Sequence, residues 1–262
     1  MNDSESFHNE KKYTVIRNLS VETFFYYSIV TAGVRIHPMS LFNDLIAEHD
    51  GSLSTVNKLM RAYKRRQVLF YEGTQALGVY CVQSGQIKIY KTSAEGKQHI
   101  FKIAGSGSVL GLEWLFAGDQ YGTTTEMLED GSVCFIEKAK VLEMIGRNSK
   151  ICRQVMESLA LDLEASELER VELAQNSVRE RMARLLSILS QSHGTPAAHN
   201  GIRISLPLSR EEMAEMIGTA AETAMRLLKE FKDEHLVEVA GREIIILDRD
   251  RLGKVASLGP LT

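Results

Sequence analysis

The sequence predicts an α+β protein: an antiparallel β-roll, then one long helix, then a C-terminal winged helix-turn-helix. Three observations carry that reading. Between about Gln67 and Lys138, short apolar alternations are broken by glycine, the texture of many short strands folding into a roll. From about Ala139 to Gln175 there is no proline and a single glycine, Gly146, and apolar residues recur three and four apart, as on a helix. After Val178, two short helical patterns are separated by Gly218-Thr219 and followed by a hairpin pattern.

Taken in order, residues 1–50 form an extension to which the sequence assigns no role. Its most apolar run, Phe24 to Val34, is too short to span a bilayer and lacks the flanks of a secretion signal. A cytoplasmic protein with no membrane partner is expected. Residues 51–140 make the roll. Val68-Leu-Phe-Tyr, Gly78-Val-Tyr-Cys-Val, Gln86-Ile-Lys-Ile-Tyr, His99-Ile-Phe-Lys-Ile and Ser132-Val-Cys-Phe-Ile read as strands, with Ser84-Gly85 and Glu95-Gly96 as hairpin turns.

Residues 141–176 comprise a short helix around Leu142 and Ile145, then the long helix from about Ser149. Apolar positions on the long helix, including Val155, Leu159 and Leu163, cover more than one narrow seam, so it must bury two faces. One can lie on the roll; a second copy of the helix is the simplest partner for the other. A core helix in a monomer is the plainer alternative.

Residues 177–262 form the last unit: a helix from Val178 to Leu189, a strand over Ile202 to Leu206, helices over Ser209–Ile217 and Ala220–Phe231, and a hairpin turning at Gly241.

Composition narrows the function. The chain has 262 residues, 44% hydrophobic and 25% charged, which excludes a disordered or collagenous chain. A formal net charge of −3 and pI near 6.2 exclude a protein that coats nucleic acid by bulk charge, so any such contact must be local. Cys81, Cys134 and Cys152 include no Cys-x-x-Cys, against a disulfide framework or a cysteine zinc site. No nucleophile elbow, His-Glu-x-x-His or Walker loop is present, so no enzyme is expected. Gly105-Ser-Gly-Ser-Val-Leu-Gly lacks phosphate-loop spacing and reads as a turn.

The chemistry concentrates in residues 208–231. Ser209 is a good N-cap and Glu212 completes a capping box. Met213, Met216 and Ile217 form an inner face, and Gly218 supplies a sharp turn. The next helix buries Ala224, Leu227, Leu228 and Phe231 and exposes Ala221, Glu222, Met225, Arg226 and Lys229. In a major groove, Arg can donate two hydrogen bonds to guanine and Glu can accept from cytosine. Glu222 and Arg226 are four apart and share one face; the plain alternative is a surface ion pair. Acidic and basic residues balance from Val178 onward, so one copy alone would bind weakly, and two would fix half-site spacing.

The order of parts resembles the family of the cyclic-AMP receptor protein and the fumarate and nitrate reduction regulator. The resemblance rests on Val68-Leu-Phe-Tyr-Glu-Gly, Tyr80-Cys-Val-Gln-Ser-Gly-Gln-Ile-Lys-Ile-Tyr, Gly107-Ser-Val-Leu-Gly, the helix-turn-helix run and Gly241-Arg-Glu-Ile-Ile-Ile-Leu-Asp. It implies a cyclic-nucleotide-binding-like jelly roll that senses a signal, a dimerisation helix, and a homodimer that reads palindromic double-stranded DNA. RNA polymerase is an implied partner. Glu222 and Arg226 match the family's base-reading pair, with Ala221 and Met225 on the same face. Ser209 and Arg210 match residues that hold the DNA backbone, and Thr219 and Lys229 join them. Ala221 stands where the cyclic-AMP receptor has a further arginine, which predicts a half-site with a TGA-like core.

The sensor departs from the best-known members. Leu112 stands where the family's ribose-binding Glu would be, and no Arg lies between Gly107 and Thr125. A buried phosphate would lack its guanidinium, so cyclic AMP held in the usual way is not expected. Leu112, Glu113, Trp114, Tyr121, Thr123 and Thr124 are expected to surround that position and line or fill a different pocket, with no effector identified. Cys134 matches a cluster-ligating cysteine, but the first 80 residues hold none, so a four-cysteine iron–sulfur cluster is excluded. His99 reads as a surface or core histidine rather than a haem ligand. A signalling module whose helix-turn-helix contacts protein rather than DNA is the alternative function.

Overall fold

The computed structural model describes residues 41, 43–47, 60–198, 201–204, 208–241 and 243–256. The Phe24–Val34 run lies outside the described residues, as does most of the 1–50 extension.

Two four-stranded antiparallel sheets build the roll. One runs in the order β1 (Met60–Tyr63), β8 (Gly131–Glu137), β3 (Gly78–Ser84), β6 (Val109–Leu110). The other runs β2 (Val68–Phe70), β7 (Thr124–Met127), β4 (Ile87–Thr92), β5 (Gln98–Ala104). Side chains alternate across a strand, and β3 uses both faces. Val82 turns inward with Ile87, Ala104, Met127 and Val133. Val79 and Cys81 turn outward beneath the helices. Cys81 sits opposite Cys134 in the β3–β8 register; both side chains are fully buried, and burial pushes the Cys81 pKa up. The β3–β4 turn needs Gly85, at φ 92° with Gly131 Cα 3.0 Å from where a side chain would begin.

After β6 comes α1 (Leu112–Ala117), whose Leu112 and Leu115 join the cluster beneath the helices. After β8 come α2 (Lys138–Arg147) and α3 (Ser149–Gln175). The Asn148 side chain accepts from the Lys150 and Ile151 amides and so starts α3. Ile151 and Val155 pack with Ile136, Val141 and Met144, and Leu41, Leu45 and Ile46 join that cluster. Asp44 accepts hydrogen bonds from Lys150 Nζ and Gln154 Nε2, both at 3.0 Å. Part of the N-terminal extension therefore covers the beginning of the long helix.

The last unit comprises α4 (Val178–Ser192), β9 (Gly194–Pro196), β10 (Ile202–Ile204), α5 (Arg210–Met216), α6 (Ala221–Asp233), β11 (Val237–Ala240), β12 (Glu243–Ile246) and α7 (Arg249–Val255). Its sheet runs β11-β12-β10-β9. Met213, Met216 and Ile217 of the helix-turn-helix belong to one apolar cluster with Tyr90, Ile100, Ile103 and Leu128 of the roll. At that junction Lys88 Nζ lies 3.1 Å from Glu212 Oε1 and 3.7 Å from Glu126 Oε1, nearly buried.

Several elements differ from expectation. Helix α2 begins at Lys138, three residues before the expected start at 141, and runs through Gly146 to Arg147. Strands β1, β6 and β7 and helices α1 and α7 carry no separate signal in the sequence, being two to seven residues long and too short for a period to emerge.

Candidate functional site

Two places carry the chemistry-bearing residues. The first is the outer face of α6. Ser209 accepts from the Glu212 amide while Glu212 Oε2 accepts from the Ser209 amide at 2.8 Å, closing the capping box of α5. Gly218, at φ 63°, makes the left-handed bend that lets α6 cross α5. Ala224, Leu227, Leu228 and Phe231 then lock α6 down, and the Arg179 guanidinium lies 4.8 Å over the Phe231 ring.

Opposite that buried stripe, Glu222, Met225, Arg226 and Lys229 are exposed. The Arg226 side chain is 71% exposed, and the carboxylate in ion-pair range is Glu230 at 3.9 Å, not Glu222. Ala221 is half-buried against the core rather than fully presented, because it sits at the helix start where α6 meets its support. Arg210 donates to the Gly241 carbonyl at 2.9 Å, tying the turn of the β11–β12 hairpin to α5. Thr219 is half-exposed in the inter-helix turn.

The second place is a cavity of about 460 Å³ between the β2–β7–β4–β5 sheet, α1 and the middle of α3. Phe70, Ile89, Phe101, Leu110, Trp114 and Leu159 supply much of the wall, and Glu113, Thr123 and Thr125 supply polar groups. Thr125 is fully buried, and among the described residues neither its hydroxyl nor that of Thr123 has a hydrogen-bond partner. Burial pushes the Glu113 carboxyl above the ordinary range, and Asp162 reinforces this; its own backbone amide and Lys102 oppose it. The two lysines on the wall are engaged: Lys102 Nζ lies 2.7 Å from Asp162, and Lys91 Nζ lies 3.5 Å from Glu72. Glu169, also on the wall, is 3.2 Å from His99 Nε2.

Three of the six expected pocket residues do not line this cavity. Leu112, 2% exposed, points the other way into the core beneath α2 and α3, since neighbouring residues of a helix face different sides. Tyr121 stacks on Phe70 with centroids 3.9 Å apart and donates its hydroxyl to the Gly78 carbonyl at 2.7 Å. Thr124 faces away from Thr123 and Thr125 by strand alternation, its hydroxyl accepting from the Glu72 amide at 3.0 Å. Glu113, Trp114 and Thr123 do reach the cavity. Thr125, Phe70, Phe101 and Lys102 were missed; the alternation of Thr123 and Thr125 was the available signal.

The expected dimer residues also separate. Val155 is buried in its own chain's core, so it is not available to a second copy. Leu159 packs partly against the same cluster and lines the cavity. Leu163 is 58% exposed, and Met156 and Val171 on the same helix are also exposed. Cys134 is core, and His99 is engaged by Glu169. Among the described residues no helix is long and apolar enough to cross a membrane.

A sensor-type jelly roll joined through a long helix to a helix-turn-helix defines a class of two-domain transcription regulators. Residues 60–148 match the cyclic nucleotide-binding domain, and residues 180–255 match the Crp-like helix-turn-helix domain. The chain belongs to the family of the cyclic-AMP receptor protein and the fumarate and nitrate reduction regulator. It is 28% identical over 222 residues to the transcriptional activator protein Anr of Pseudomonas protegens, spanning 84% of this chain and 89% of that one. It is 24% identical over 208 residues to the regulatory protein HlyX of Actinobacillus pleuropneumoniae, spanning 79% and 86%. Among solved structures, FixK2 from Bradyrhizobium japonicum shares the fold at a TM-score of 0.66 and 24% identity, over 75% of this chain and 96% of that one.

Proposed function

We propose that this protein is a homodimeric, sequence-specific DNA-binding transcription regulator. In this reading residues 51–140 sense, 141–176 dimerise and 177–262 read DNA. The observation that carries it is the split character of α6. One stripe is fully packed, while Glu222, Met225, Arg226 and Lys229 are exposed on the opposite side. That is what a helix entering a major groove needs. Arg226 donates to guanine and Glu222 accepts from cytosine, giving a TGA-like half-site core. Ser209, Arg210, Thr219 and Lys229 hold the DNA backbone, the Ser209 side chain capping α5 and the Arg210 side chain reaching the Gly241 carbonyl. Leu163, Met156 and Val171 supply the dimer seam along α3, and RNA polymerase is the downstream partner. The cavity is the effector site; among the described residues no arginine lines its wall, which argues against cyclic AMP held by the usual phosphate contacts.

The test is fluorescence anisotropy of a labelled palindromic duplex with TGA half-sites against single-base substitutions, over a salt series. Specific reading predicts weakening by about 1–3 kcal/mol on substituting the guanine contacted by Arg226 and a negative salt slope. In Arg226→Ala the penalty for that substitution disappears. Equal binding to all duplexes, or none, would favour protein contacts instead.

A further inference from the structure

The α1–β7–α3 cavity is lined by side chains whose charges argue for a particular kind of occupant. Among its wall residues Lys91 and Lys102 oppose Glu113, Asp162 and Glu169. Both lysines already sit beside carboxylates, at 3.5 Å to Glu72 and 2.7 Å to Asp162. Glu169 is taken by His99. Among the described residues no ion pair is formed by Glu113, so the one uncommitted charge on the wall is negative or, when protonated, zero. Burying an anion there would oppose a carboxylate with no cation released to meet it.

The rest of the wall states what would fit. Phe70, Phe101, Ile89, Leu110 and Trp114 offer aromatic and aliphatic surface. The Thr123 and Thr125 hydroxyls are buried without partners among the described residues. Thr123, just before β7, and Thr125 on it leave two unmet hydroxyls on the wall of a cavity large enough for a drug-sized molecule. Buried hydroxyls left unmade are costly, and a ligand carrying one N–H, hydroxyl or carbonyl would meet them.

We infer that this cavity binds an uncharged, largely aromatic molecule bearing a single hydrogen-bonding group, rather than a phosphate or carboxylate ligand. The inference rests on reading the cavity as the effector site, but not on DNA binding.

The only tryptophan of the chain, Trp114, lies on the wall and reports occupancy without a label. The full chain is titrated, in the absence of DNA, with N-phenyl-1-naphthylamine and with 8-anilino-1-naphthalenesulfonate. The two dyes share their rings and amine and differ by a sulfonate. The uncharged dye is expected to quench Trp114 saturably, one per chain, in the micromolar range. The sulfonate should bind at least tenfold more weakly, and cyclic AMP should leave the emission unchanged to millimolar concentration. Glu113→Gln should narrow the gap between the dyes at least threefold, and Thr125→Val should weaken the uncharged dye three- to tenfold. Equal or tighter binding of the sulfonate, saturable quenching by cyclic AMP, or no quenching by the uncharged dye would overturn the inference. The wild-type comparison needs no variant to fold. Failure here with intact palindrome binding would remove the ligand class alone, whereas loss of palindrome binding would remove the DNA reading and leave the cavity's chemistry standing.

Discussion

Helix α6 and the cavity are built on opposite plans. Helix α6 gathers the side chains proposed to read DNA on the outer face of one regular element, so their positions follow from a 3.6-residue period. The cavity draws its wall from β2, β4, β5, β6, α1, β7 and α3, segments up to a hundred residues apart in the chain. One site is legible in thirteen consecutive residues; the other exists only once two sheets and a helix have packed. The difference also separates stability from function. On α6 the residues that fold and those that act lie on different faces, whereas in the cavity the same aromatic wall does both.

The contrast is broken most forcefully at Phe231, fully buried at the centre of the C-terminal core. Phe231→Ala should cost about 3–5 kcal/mol of stability, read by urea unfolding, and abolish DNA binding with it. Arg226→Ala on the opposite face should change stability by no more than about 0.5 kcal/mol while removing guanine discrimination. Parallel losses in both variants would mean the two faces are not independent.

The next largest effect tests the junction between the two units. Lys88→Ala leaves the Glu126 and Glu212 carboxylates facing each other in a nearly buried place, which should cost about 3 kcal/mol. The companion measurement is amide exchange in α5 and β5, which should accelerate together. Glu212→Gln removes one carboxylate while keeping an acceptor and should be milder.

The smallest effect depends on pH. The hydrogen bond to Glu169 raises the His99 pKa, with burial opposing it. A raised folded-state value means the stabilisation is full below the unfolded pKa of about 6.5 and is lost as pH rises through the folded value. Thermal melts from pH 5.5 to 8.5 should show wild type losing less than about 1 kcal/mol relative to His99→Asn, in that direction. A gain with rising pH would contradict the pairing.

What the sequence discloses follows the same division. The strands over Gly78 to Thr92 and Gln98 to Ala104 alternate long enough to be read, and the helix-turn-helix is legible from Ser209 to Phe231. Helix α1 is not: its six residues, less than two turns, are apolar at all positions but Glu113, so Leu112 and Leu115, the two it buries, do not stand out as a face. That is why Leu112 was assigned to the cavity although it faces the core. Strand alternation should have separated Thr124 from Thr123 and Thr125, but three identical residues conceal a period of two. Nothing in the sequence places Lys88 beside Glu212, 124 residues away, or Asp44 beside Lys150. Such contacts depend on how finished elements dock.

The central claim is that two copies of this chain read one palindrome through paired α6 faces. Mass photometry of the full chain on a labelled duplex, with both half-sites intact or one scrambled, tests it most directly. The account predicts two chains per intact duplex and, with one half-site scrambled, an affinity at least a hundredfold lower at the same salt (on the order of 3 kcal/mol). One chain per duplex, or equal affinity for both duplexes, would contradict it.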